Sequence, residues 1–405
     1  MFTLRMAFRN LKRQKRRTFF TGLMMVGGFW LCSIFLGVAE GSYDSIIDFF
    51  TRDHTGHLQI HRKGYLDHPS LQATLDDWDH VRQVLAGDPQ VVSAAPRVYA
   101  AALAFVGEKT TGARLVGVAP DLEAATTRLK RKITEGAYFP AGLENPVLAG
   151  EGLVKALDLK VGSQLALVSQ GADGSVANDL FTVAGIVSGG SEGGVDRNLY
   201  LRLSDAQRFL VLGTRIHEVA VLLKNIREAK PEAAAIAAQL NDPSLSVDPW
   251  QVVEKDFYKA MTADKNGNYV SQVIFLVLVA LGVLNTVLMN LLERIPEYGL
   301  LKALGTRSSA ITGMILWEML LLSLFSLIPG AALAWASNAW LAAYGLRLPH
   351  PYTYGGMVFS TMYGQVSWFV FLVPTVLIVL VAVLVCIPAA RRIRRLTPIE
   401  ALRRA

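Results

Sequence analysis

The chain has 405 residues, 52% of them hydrophobic and 18% charged, with a net charge of +7. Charged residues run near ~25% in soluble proteins, so an ordinary soluble globule is excluded. The positive charge brackets the chain: residues 1–17 carry seven basic groups and no acidic one, residues 391–405 carry six arginines against Glu400, and residues 41–268 have a net charge of −5. A nucleic-acid binder would instead gather such charge on a folded surface.

Four stretches, Thr18–Ala39, Val270–Leu292, Ser308–Leu346 and Gln365–Ala390, hold at most one charge each. Each reaches the ~20 residues that cross a hydrocarbon core of ~30 Å as a helix. The sequence therefore predicts an α-helical membrane protein with four transmembrane helices. Basic flanks place both termini in the cytoplasm. The segment 41–268 is left outside as a large extracytoplasmic α+β region.

In residues 1–17, Leu4, Phe8 and Leu11 recur at helical spacing, with Arg5, Arg9, Lys12, Arg13 and Arg16 mostly on the other side. This pattern predicts a basic amphipathic helix in the interface plane, drawn to anionic membrane lipids; the plainer reading is a basic flank that only orients the first span. Gly37-Val38-Ala39 resembles a cleavage site. The apolar run before it is longer than a signal peptide's, so 18–40 is read as a retained transmembrane helix 1. Gly37 and Gly41 offer a close helix contact. Cys32 and Cys386 both fall in apolar runs, so the outer region has no disulfide.

Glu40–Phe50 continues the first span outward as a stalk. A strand at His57–His61, a helix at Leu75–Leu85 and strands at Val91–Val98, Leu103–Val106 and Ala113–Val118 follow the logic of a small α/β sandwich. A mostly β subdomain is inserted at about 115–210, with strands at Gln164–Val168, Leu180–Ile186 and Asn198–Leu201. Its GADGS (Gly171–Ser175) and SGGSEGG (Ser188–Gly194) runs are turn signals, with partner contact the functional alternative. Glu218–Leu223, Ala233–Leu240 and Leu245–Val247 return to the α/β pattern. His54, His57 and His61 with Asp53 invite a metal reading, yet His57 and His61 lie roughly 13 Å apart along a strand, too far for one ion. No metal site is assigned. No G-x-x-x-x-G-K-[ST] occurs, so the chain supplies no P-loop of its own, and no catalytic constellation emerges.

Transmembrane helix 2 (269–292) carries Asn285 and Asn290, polar groups that favour helix–helix hydrogen bonds over lipid. Residues 293–307 form a short charged segment in which Pro296 starts a helix and Gly305 ends it. Its Leu300, Leu301 and Leu304 need a cover, either a cleft on a cytoplasmic partner or the chain's own spans. Transmembrane helix 3 (308–342) buries Glu318 about 10 Å from its cytoplasmic end. A buried intramembrane charge is a functional candidate; the structural alternative is pairing with the basic flank of the first span. A loop (343–364), transmembrane helix 4 (365–388) and a basic cytoplasmic tail (389–405) complete the chain.

Three motifs resemble the FtsX/MacB-type (type VII) ABC-transporter permeases, including the lipoprotein-releasing LolC/LolE group. They are AFRNLKRQKRRTFFTGL (Ala7–Leu23), ERIPEYGLLKALGTRSSAITGMILWEMLL (Glu293–Leu321) and PAARRIRRLTPIEALR (Pro388–Arg403). The second is similar to the family's R-x-x-E-[IV]-G-[LI]-[LM]-[KR]-A-[LI]-G followed by a helix bearing a Glu. By that likeness Pro296, Glu297, Gly299, Leu300, Leu301, Lys302, Ala303, Leu304 and Gly305 fall in a coupling helix, Glu318 is the third-span glutamate, and Pro398, Glu400, Ala401 and Leu402 form the tail motif. Pro296 and Arg392 depart from the family pattern.

The resemblance implies a non-enzymatic inner-membrane subunit with a periplasmic porter-like α/β domain interrupted by a β-rich, sabre-like domain. It implies action as a homo- or heterodimer on a cytoplasmic ABC ATPase dimer that holds the ATP and Mg, with no cofactor in this chain and no nucleic acid. A periplasmic carrier or outer-membrane channel is a further expected partner. The leading expectation is mechanotransmission that releases lipoproteins or another hydrophobic substrate. The alternatives are signalling to a cell-wall hydrolase or in peptide sensing, and export of peptides or small molecules through a partner channel.

Overall fold

The computed structural model describes residues 6–9, 15–188, 197–354 and 357–395. It divides into two compact units, Ile46–Thr262 with His350–Phe359, and the remaining helical segments. Helix α1 (Lys15–Phe50) is unbroken for 36 residues. A π-helical turn, Thr51–Thr55, ends it at Gly56, whose φ of 71° needs a residue without Cβ.

The α+β unit then runs β1 (Leu58–Arg62), α2 (Trp78–Gly87), β2 (Val91–Val106), β3 (Lys109–Val118), α3 (Pro120–Thr126), β4 (Ile133–Gly136), β5 (Pro146–Gly150), α4 (Glu151–Leu157), β6 (Gln164–Gln170), β7 (Val176–Val187), β8 (Asn198–Arg202), α5 (Leu203–Phe209), β9 (Glu218–Leu223), α6 (Ala229–Leu240), β10 (Leu245–Pro249) and α7 (Trp250–Val253). Its ten strands form one sheet. At one end β10, β1, β9 and the first half of β2 pair antiparallel. From there the ladder passes from β2 to β3, β8, β5, β7 and β6, and β6 returns to β2 through Leu103–Phe105. These six strands therefore close a barrel, which removes exposed edges. Strand β2 belongs to both parts. Its Ala94–Arg97 lie beside β9 while Arg97–Val106 lie beside β3, so the sheet is continuous from the four-stranded part into the barrel. The GADGS run is the β6–β7 hairpin turn, with Asp173 accepting from the Ser175 amide at 3.0 Å. Most of SGGSEGG lies outside the described residues.

The helical unit holds α8 (Lys255–Glu293), α9 (Ile295–Ala303), α10 (Ser308–Tyr344) and α11 (Trp368–Arg395), with α10 and α11 joined through the hairpin β11 (Leu346–Tyr354) and β12 (Met357–Met362). Among the described residues three helices are long and apolar enough to cross a membrane: Thr18–Asp53, Lys255–Asn285 and Ser308–Tyr344. This corrects the expectation of four transmembrane helices. The described apolar stretch of α11 is Trp368–Leu384, shorter than 18 residues. The chain is a multi-pass α-helical membrane protein with an α+β, barrel-containing domain.

Met25, Phe29, Val283, Ile295, Tyr298, Ile315, Met319 and Ile378 build the core of the helical unit from five helices. Phe29 packs over Gly330, where an added Cβ would stand 3.2 Å from the ring. Cys32 is a buried free thiol.

Candidate functional site

The short helix α9 is shaped at both ends by its own sequence. Pro296 sits in its first turn, where a missing amide hydrogen costs nothing. At the other end the Gly305 amide donates to Lys302 O at 3.0 Å and the Thr306 amide to Leu301 O at 3.1 Å. That reciprocal pair is a Schellman closure, and Gly305 takes the left-handed φ of 85° that it requires. The chain then re-enters a helix at Ser308.

One face of α9 is turned inward. Ile295, Tyr298 and Gly299 are buried, Leu301 is half-buried against the helical core, and Tyr298 is 1% exposed. The opposite face presents Glu297, Leu300, Ala303, Leu304 and Gly305, with Leu300 53% and Leu304 75% exposed. Pro296 and Lys302 lie between. The two readings of the leucine set thus divide between residues: Leu301 is covered by this chain, whereas Leu300 and Leu304, one helical turn apart, face away from its core.

Arg294 anchors the helix. Its guanidinium donates through Nη1 to Glu318 Oε1 and through Nε to Glu297 Oε2 at 3.1 Å, and it lies 5.4 Å from the centre of the Tyr298 ring. Arg294 and Glu318 are both buried. A buried charge is tolerated only when paired, and a guanidinium fork satisfies two carboxylates at once. Glu318 therefore pairs with Arg294, the residue that opens α9. Sequence reading missed Arg294, although an Arg preceding a helix and a lone acid in the next apolar run are a signal for such a pair.

The other predicted residues are dispersed. Asn285 is exposed on α8, and the side chain of Asn290 lies outside the described residues. Arg9 and Arg16 are exposed. Arg5, Lys12, Arg13 and the tail residues Pro398, Glu400, Ala401 and Leu402 lie outside the described residues.

A second polar cluster, not foreseen, occupies the α+β unit. Buried Arg97 donates to Glu123 at 2.7 and 3.0 Å and to Glu218 at 3.0 Å, and the Tyr99 hydroxyl donates to Glu218 at 3.1 Å. Burial alone would lower the Arg97 pKa, but Glu123, Tyr99 and Glu218 hold it well above its ordinary value. His57 and His61 are each held within the strand network. The Leu223 amide donates to His57 Nδ1 at 3.2 Å, and His61 Nε2 lies 3.0 Å from Gln59 Oε1. Among the described residues no group of three or more His, Cys, Asp or Glu could hold a metal ion.

Comparison with known proteins gives three further findings. The chain is 22% identical over 257 residues to the lipoprotein-releasing system transmembrane protein LolE of Haemophilus influenzae, covering 61% of each chain, so it spans about three-fifths of that relative's length. The periplasmic region of MacB from Actinobacillus actinomycetemcomitans covers 53% of this chain and 98% of its own at 16% identity, with a TM-score of 0.38. The extracellular domain of the noncanonic ABC-type transporter YknZ from Gram-positive bacteria covers 47% and 98% at 13% identity, with a TM-score of 0.35. Residues 269–398, which hold α9, its Arg294–Glu318 anchor and the two helices after it, match the FtsX-like permease C-terminal family, and over this segment the chain has the fold of an FtsX-type permease.

Proposed function

We propose that this chain is the permease subunit of a mechanotransmitting ABC transporter, with α9 as the helix that a separate cytoplasmic ATPase dimer grips. The observation that carries the reading is the division of α9. Its inner face is fixed to the helical core through Tyr298 and Arg294, while Leu300 and Leu304 project outward with Glu297 between two helices long enough to span a membrane. An exposed leucine pair on a rigidly anchored helix is suited to a cleft on a soluble partner. Tight anchoring would carry a push on α9 into α10 rather than dissipate it in a loop.

The basic N-terminal segment supports a cytoplasmic side for residues 1–17 and α9 by the positive-inside rule, with the domain between the first two spans on the periplasmic side. ATP and Mg belong to the partner. The most exposed span is α8, whose most apolar window is 11% buried, against 33% for α1 and 44% for α10. That surface supports a second permease copy, or a related chain, packed along α8 in the membrane. The likeness to LolE favours lipoproteins, or another hydrophobic substrate held at the outer leaflet, as the load.

The test is affinity purification of the chain from its native membranes, followed by mass spectrometry of what remains bound. We expect the ATPase and acylated proteins in wild type, and loss of the ATPase from Leu300→Asp/Leu304→Asp. Retention of the ATPase by that variant overturns the role of α9. A cell-wall hydrolase in place of acylated proteins moves the function to signalling.

A further inference from the structure

Wholly within the α+β unit lies a polar chamber of about 280 Å³ whose lining includes Asp53, Arg97, Glu123, Glu218 and Glu254. Tyr65, Pro69, Tyr99 and Arg114 line both this chamber and a wider, mostly apolar groove of about 1180 Å³ bordered by Ala100–Leu103 and Val176. A charged recess and an apolar trough thus adjoin at these four residues. We propose that the two together bind a small amphipathic organic cation, a primary amine carrying an apolar body, with the ammonium in the chamber and the body in the groove.

The charges favour a cation. Four carboxylates line the chamber against two guanidinium groups. Arg97 is already shared between Glu123 and Glu218, and the Arg114 guanidinium lies 4.7 Å above the Tyr99 ring. Lys132 reaches Asp53 Oδ2 from outside the lining, at 2.9 Å. One negative charge is left over when all four acids are ionised. The second observation is independent of that balance. The Asp53 side chain is 4% exposed, and its Oδ1 is buried with no hydrogen-bond partner. A buried carboxylate oxygen without a donor is costly, and an ammonium group supplies up to three donors.

Glu254 points to the same chemistry. Burial and the neighbouring Glu218 push its pKa above the ordinary carboxylate value. A bound ammonium relieves both effects by standing between the acids. Tyr65 and Tyr99 flank the junction. Tyr65 is itself stacked between His61 and His217, at 5.9 Å from each, so this wall is preorganised. The inference does not depend on the transporter reading.

The test uses the full chain in nanodiscs, with empty nanodiscs as the blank. Three probes of the same shape are titrated by calorimetry and saturation-transfer NMR: phenethylamine, 2-phenylethanol and phenylacetate. We expect phenethylamine to bind about tenfold or more tightly than either analogue. Asp53→Asn and Glu254→Gln should each weaken it by a similar factor, while 2-phenylethanol binding is unchanged. Glu254→Gln serves alone if Asp53→Asn, by releasing Lys132, fails to fold. Equal binding of the three probes, preference for phenylacetate, wild-type affinity in Glu254→Gln or no binding of the amine would each overturn the proposal.

Discussion

Arg294 and Glu318, 24 positions apart in sequence, form an ion pair whose side chains are 5% and 8% exposed. The pair joins the residue before α9 to the third turn of α10, so one contact ties the start of α9 to the helix that follows it. Removing one partner leaves a buried charge behind, which costs about 3–5 kcal/mol. We expect Glu318→Ala to lower the melting temperature of the detergent-solubilised chain markedly. The double variant Arg294→Met/Glu318→Leu, which buries no charge, should recover most of the loss. Equal melting of wild type and Glu318→Ala would show that the pair does not hold α9.

The two faces of α9 separate a folding phenotype from a coupling phenotype. Leu300→Asp and Leu304→Asp change exposed positions and should stay within about 0.5 kcal/mol of wild-type stability, while losing ATPase co-purification. Tyr298→Ala empties a site that is 1% exposed and should cost about 3 kcal/mol or more. Circular dichroism melts alongside the pull-down check both. Leu301→Asp and Gly299→Trp are poorer probes, because Leu301 is half-buried and Gly299 buried, so each disturbs the core as well.

The apolar runs and the order of strands and helices were legible because each rests on local periodicity. The pairing of those elements was not. Strand β2 reads as two pieces because Ala100-Ala101-Ala102 breaks its alternation, yet these residues sit in one 16-residue strand. Barrel closure depends on β6 returning to β2 and on β8 joining β3 in parallel, contacts between residues some 60 to 85 positions apart. Arg97, Glu123 and Glu218 carry no common spacing, so nothing in the sequence marks them as one cluster. At α9 the sequence identified the segment and its two ends, but the choice of which leucine turns inward is set by packing.

Two glycines of α1 provide a paired test of close packing in the helical unit. A Cβ at Gly41 would stand 2.5 Å from Tyr363 O and 2.6 Å from the Gly364 carbonyl carbon, whereas nothing lies within 4 Å of one at Gly27. Backbone atoms cannot rotate away. Gly41→Ala should therefore cost about 1–3 kcal/mol by overpacking. Gly27→Ala should be neutral or stabilise by up to about 1 kcal/mol, since it only raises helix propensity. Melting temperatures of the two variants in one detergent decide the matter, and equal shifts would refute the contact.

Burial of His57 makes the α+β unit sensitive to acid. Desolvation lowers the His57 pKa from 6.5 to about 4, against the opposing field of Asp48. The Leu223 amide that donates to Nδ1 at 3.2 Å requires that nitrogen to be unprotonated. His217 is lowered for the same reason, and its Nδ1 accepts from the Tyr99 amide at 3.0 Å. In both cases the unfolded chain binds a proton that the folded chain refuses. Their stabilising contribution is whole above pH 6.5 and is lost as pH falls; for His57 the loss continues to about pH 4 and amounts to about 3 kcal/mol at most. Glu254 has the opposite sign, because its raised pKa favours the folded state as pH falls. The measurement is therefore a difference: hydrogen exchange of the β9 amides in wild type and His57→Gln at pH 7.5, 6 and 5. Protection should fall more steeply with acidification in wild type than in the variant. Parallel pH profiles would mean that His57 takes up its proton without opening the fold.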